Sequence, residues 1–102
     1  MGILKEGIIK YEIEICSDFK DGILAKIDCN RMDDSKSVFC INFLRDGMQL
    51  PKNEFHSPLN DVRAYFHFAQ FLNILNVLRE HKPTYLKFDT ETNQVSLILS
   101  PV

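Results

Sequence analysis

One stretch, Ser57 to His81, constrains this chain more than any other. It opens with Ser-Pro and then carries Leu59, Val62, Ala64, Tyr65, Phe66, Phe68, Ala69, Phe71, Leu72, Ile74, Leu75, Val77 and Leu78. Ser57 can accept hydrogen bonds from the first helical turn, and Pro58 lacks the amide that would otherwise be left unbonded there. Asp61 near the start and His81 or Lys82 near the end suit the helix dipole. Pro83 stops the run. The pattern predicts one long helix of about 36 Å at 1.5 Å per residue. A helix resting on a sheet needs one apolar stripe, and this segment carries enough for two.

Steps of about 100° per residue sort the side chains into faces. Ala64, Phe68, Phe71, Leu72, Leu75 and Leu78 fall together and are expected to meet a sheet. Arg63, His67 and Gln70 mark the opposite side. Leu59, Val62, Phe66, Ala69 and Val77 form a second apolar stripe interrupted by Asn73, and Ile74 lies beside the polar line. Three coverings suit the spare stripe. The segment from 45 to 56 could fold over it with Leu50 and Phe55. A second copy could pack on it about a two-fold axis, since contiguous apolar patches usually mark interaction sites. A ligand could sit between helix and sheet.

The rest of the chain alternates with a period of two. From Ile8 to Cys16, Ile9, Tyr11, Ile13 and Ile15 alternate with Lys10, Glu12 and Glu14, which predicts a strand with one wet and one dry face. A turn follows through Asp21-Gly22. Ile23 to Cys29 repeats the pattern. The polar run from Asn30 to Lys36 reads as a loop. Ser37 to Leu44 is apolar on both sides, which predicts a strand that is central or covered on both sides. Arg45-Asp46-Gly47 ends it. Beyond Pro83, Thr84 to Asp89 and Gln94 to Leu99 are two more strands around a turn in which Asn93 suits a left-handed backbone. The expected fold is α+β in one domain, residues 1–102. It is an antiparallel five-stranded sheet with one long helix packed on one face, in the order β-β-β-α-β-β. The last hairpin would pair through its final strand with the first strand, or continue the meander beside the third.

At 102 residues, 45% of them hydrophobic, the chain can bury one core without staples. Its formal net charge is −2 with the signs mixed along the sequence, so neither nucleic acid nor an acidic membrane surface is an expected partner. No apolar run is long enough to span a bilayer, and the first residues lack a signal-peptide core. Cys16, Cys29 and Cys40 are odd in number and widely spaced, a poor disulfide framework, so free thiols and a cytoplasmic location are expected.

No reaction motif is present. His56, His67 and His81 lack the i, i+4 spacing of a helical zinc site, there is no Cys-x-x-Cys, and no metal or cofactor is expected. Asp33-Asp34 resembles half a calcium loop but lacks the glycine and final glutamate. Cys40 has no glycine-rich elbow. Arg63, His67 and Gln70 could form a polar contact site, for a carboxylate held by Arg63, and His67 or His56 would be a weak general base. The expectation is a non-catalytic protein-interaction module of the adaptor, inhibitor or immunity type. It would form a homodimer through Leu59, Val62, Phe66, Ala69 and Val77, and a further partner protein is a second expected contact. The alternative is a binding domain for a small apolar ligand, with an aromatic pocket of Phe39, Phe43, Phe68 and Phe71 under the helix.

Overall fold

The computed structural model describes residues 3–16, 22–31, 37–56, 61–80 and 84–99. The fold is α+β, with strands β1 (Ile3–Ile15), β2 (Ile23–Arg31), β3 (Ser37–Leu44), β4 (Glu54–His56), β5 (Asp61–His67), β6 (Thr84–Asp89) and β7 (Gln94–Leu99). A single 3-10 turn, Phe68–Gln70, leads into the helix α1 (Phe71–Glu80). Hydrogen-bonded neighbours run in the order β4-β5-β3-β2-β1-β6-β7.

β1 serves two sheets. Its first part, Ile3 to Ile8, pairs with β6, and its second part, Ile8 to Ile15, pairs with β2. The β2 register slips between Ile8 and Lys10, so β1 carries an extra residue there. Such a bulge bends a strand and raises its twist. One side of the bend is a mixed sheet of five strands, β4-β5-β3-β2-β1. The other is an antiparallel sheet of three, β1-β6-β7.

The long helix does not form. Residues 61–67 are a strand, and the helix is ten residues long. Asp61 to His67 also alternates with a period of two: Val62 and Ala64 are buried and Phe66 packs on the core, while Arg63 is exposed. Both periods fit this stretch, and tertiary pairing chose the strand. Pairing is available because β3 offers an open edge to β5, and the two run parallel. Parallel neighbours need a crossover of a dozen or more residues, which residues 45–60 supply. Within that crossover β4 doubles back and pairs antiparallel with the outer side of β5. The sheet is therefore mixed and larger than the antiparallel five strands expected. The closing hairpin does join the first strand, but through β6 rather than β7.

Three rows of side chains line the inner face of the five-stranded sheet. By register they are Ile15-Ala25-Phe43-Phe66, Ile13-Ile27-Ile41-Ala64 and Tyr11-Cys29-Phe39-Val62-Phe55. The core is built on them, joined by Ile8, Leu86 and Phe88 and by Phe71, Ile74 and Leu78 of α1. Those three helical positions follow the i, i+3, i+7 rule for one stripe. The helical face expected to meet the sheet is rotated: Ile74 is buried, whereas Leu72 is 66% exposed. Phe71 meets Phe43 edge to face at 5.0 Å and stacks with Phe68 at 5.2 Å.

The two ends of the structure meet through Asn53. Its side-chain oxygen accepts the Tyr65 amide at 2.8 Å, and its side-chain nitrogen donates to the Asn93 carbonyl at 2.9 Å. Phe55 stacks against Phe88 at 6.3 Å beside this bridge. Asn93 has φ 58°, the left-handed value its place in the turn called for.

Candidate functional site

The second half of β1 departs most from the pattern of a filled core. Ile13 lies opposite Ile27, and Ile15 opposite Ala25, so both project on the inner face. Yet Ile13 is 42% and Ile15 74% exposed, while Ile27 and Ala25 are fully buried. The dry face expected for this strand is dry only as far as Tyr11, which is partly buried against the core.

The backbone of the same segment is open on one side. Cys16 donates its amide to the Leu24 carbonyl of β2. In an antiparallel pair, groups facing the neighbour alternate with groups facing away. Glu14, Glu12 and Lys10 therefore turn their amides and carbonyls toward β2, and Tyr11, Ile13 and Ile15 turn theirs outward. Among the described residues no strand pairs with that outward side, because β6 stops at Ile8. The outer face of the segment carries exposed Lys10, Glu12 and Glu14. The resulting surface is an open strand edge with apolar side chains on one face and charges on the other.

A polar cleft of about 360 Å³ lies on the outer face of β2, β3 and β5. Its lining includes Lys26, Asp28, Cys40, Asn42, Asp61, Arg63 and Tyr65. Asn42 is buried, and its amide nitrogen donates to the Ala64 carbonyl at 3.4 Å while its oxygen accepts from the Cys40 thiol at 3.9 Å. One carboxylate oxygen of Asp61 is buried with no hydrogen-bond partner. Burial, and then a hydrogen bond to Asp28, pushes the Cys40 thiol up to about 11. Burial pushes Cys29 up to about 12, with the Asp28 charge adding to it. Partial burial raises the Tyr65 hydroxyl, and the Glu54 charge adds to that. A nucleophilic cysteine needs the thiolate, so Cys40 is a poor nucleophile at neutral pH. All three cysteines are free, with Cys29 buried and Cys16 and Cys40 partly exposed.

The sequence-predicted interface residues do not share a stripe. Val62 is fully buried on β5, Phe66 packs on the core, Ala69 is exposed in the 3-10 turn, and Val77 is partly exposed on α1. Leu59 lies outside the described residues. Arg63, His67 and Gln70 are also dispersed. Arg63 lines the outer cleft. His67 ends β5, where its Nε2 donates to the Met48 carbonyl at 2.7 Å. Gln70 accepts a bond from Asn73 at 3.4 Å. His56 is on β4 opposite Asp61. Phe39, Phe43 and Phe71 are core residues, and Phe68 stacks on Phe71 at the rim, 37% exposed. Phe71 contacts both Phe43 and Phe68, and Phe39 is fully buried in the core, where a ligand pocket was expected.

The β1 edge was missed because alternation reports which face a residue takes, not whether anything covers it. Consecutive isoleucines interleaved with glutamates were visible, but the missing neighbour was not. Among the described residues, no group of His, Cys, Asp and Glu could hold a metal ion, and no helix is long and apolar enough to cross a membrane. The chain matches no protein-family model, and neither the curated proteins nor the solved structures yield a significant match.

Proposed function

We propose that this protein is a non-catalytic interaction module that docks an extended polypeptide along the outward edge of β1. The observation that carries this reading is the exposure of Ile13 and Ile15 on a length of strand whose outward side has no neighbour among the described residues. Unpaired strand edges template the pairing of another chain, and strand addition uses backbone hydrogen bonds for affinity and alternate side chains for specificity. Tyr11, Ile13 and Ile15 supply both here: their amides and carbonyls face outward, and their side chains lie on the inner face. A docked strand would cover the end of each core row.

A display library of short peptides, selected on the folded protein, tests this reading. Selected peptides should alternate apolar residues, and they should slow amide exchange at Tyr11, Ile13 and Ile15. Ile13→Lys should abolish their binding. Peptides that protect amides elsewhere, or a library that yields no binder, would overturn it.

A further inference from the structure

We infer that the strand docking on this edge is β1 of a second copy, antiparallel and centred on Glu12. The inference rests on the docking reading above and names its occupant. The open edge runs from Ile9 to Ile15, because β6 occupies the same side up to Ile8 and β1 ends at Ile15. Its midpoint is Glu12. A two-fold axis there aligns the whole edge with itself, Ile9 opposite Ile15 of the second copy and Tyr11 opposite Ile13. The outward-facing groups of Tyr11 and Ile13 then meet those of Ile13 and Tyr11 of the second copy, giving about four backbone hydrogen bonds at the centre of the pair.

The charges select the same register. On the outer face, centring on Glu12 sets Lys10 opposite Glu14 of the second copy, twice, at the cost of one Glu12–Glu12 opposition. Centring on Ile13 instead sets Glu12 opposite Glu14 twice, and like charges directly opposite destabilise a strand pair. Centring on Tyr11 drives Ile15 of the second copy onto Gly7, which is already paired with Tyr85 of β6. The two-fold axis stands perpendicular to the sheet, so the inner faces of both copies lie on one side. There Tyr11 and Ile13 of each copy bury one another.

Charge exchange tests the register. Sedimentation equilibrium should show a concentration-dependent dimer for the wild-type chain. Glu14→Lys or Lys10→Glu alone should weaken it about tenfold or more, by turning two attractive pairs repulsive. The double variant Lys10→Glu/Glu14→Lys should return to within about threefold of wild type. Glu12→Gln should tighten the dimer by removing the central opposition. All three side chains are exposed, and far-ultraviolet circular dichroism verifies that each variant is folded. A double variant as weak as either single would overturn the register. A wild-type chain that stays monomeric up to about 1 mM would overturn the second copy as occupant. If selected peptides still protect Tyr11, Ile13 and Ile15 in that monomer, the docking reading survives. If none does, both fail.

Discussion

Ile13 and Ile27 are opposite one another on adjacent strands, project on one face and have the same side chain, yet one is 42% exposed and the other fully buried. The difference is position in the sheet. Ile27 has β1 on one side and β3 on the other, with Ile41 next in its row. Ile13 has β2 on one side and, among the described residues, no strand on the other. Alternation assigns a face to each residue, and strand order decides whether that face is covered.

The largest expected effect breaks the buried member of the pair. Ile27→Ala should cost about 2–5 kcal/mol, since a fully packed site cannot collapse onto the lost carbons. Ile13→Ala in the monomer should cost about 1 kcal/mol or less. Urea unfolding of both at one low concentration measures the contrast, and equal costs would mean that Ile13 is as well covered as its neighbour.

A middle-sized effect probes what holds the far end of the rows. Asn53→Ala removes both the bond from the Tyr65 amide and the bond to the Asn93 carbonyl, and should cost about 1–3 kcal/mol. Gly22, at the start of β2, has φ +73°, and an added Cβ would run into the Met48 side chain. Gly22→Ala should cost about 1–2 kcal/mol for the left-handed backbone alone. Thermal unfolding measures both. A Gly22→Ala protein as stable as wild type would show that this turn relaxes freely.

The smallest effect sharpens the same contrast with thiols. Cys29 is on the inner face and Cys40 on the outer, with thiols pushed up to about 12 and about 11 from an ordinary value near 9. Below pH 9 both folded and unfolded thiols keep their protons, and stability is independent of these groups. Above about 9 the unfolded chain releases protons that the folded chain retains, so stability falls as pH rises toward 11. Urea midpoints at pH 8 and pH 10 should show that fall, and Cys29→Ala should reduce it. Iodoacetamide at pH 8 should label Cys40 slowly and Cys29 only on unfolding.

Much of this architecture was legible locally. The faces of β2 follow from alternation, and the central place of β3 from apolar residues on both its sides. The left-handed turn at Asn93 and the unpaired state of the cysteines were also readable. The candidate site was legible only as residue types. Ile13, Ile15, Glu12 and Glu14 were plainly a two-faced strand, but the wet edge beside them was not.

The segment from Asp61 to Gln70 shows where local reading ends. Val62, Ala64 and Phe66 satisfy a period of two, and the same stretch satisfies a helical sorting at about 100° per residue. The sequence by itself determined that these residues had to bury an apolar face, that β2 and β3 would each present one, and that Asn93 would turn the chain. Only the tertiary structure decided that β3 would offer a parallel edge to residues 61–67, that the helix would shrink to Phe71–Glu80, and that the end of β1 would have no strand on its outward side among the described residues. Periodicity is set by the few residues around each position. Strand partners and strand edges are set by chain segments tens of residues away.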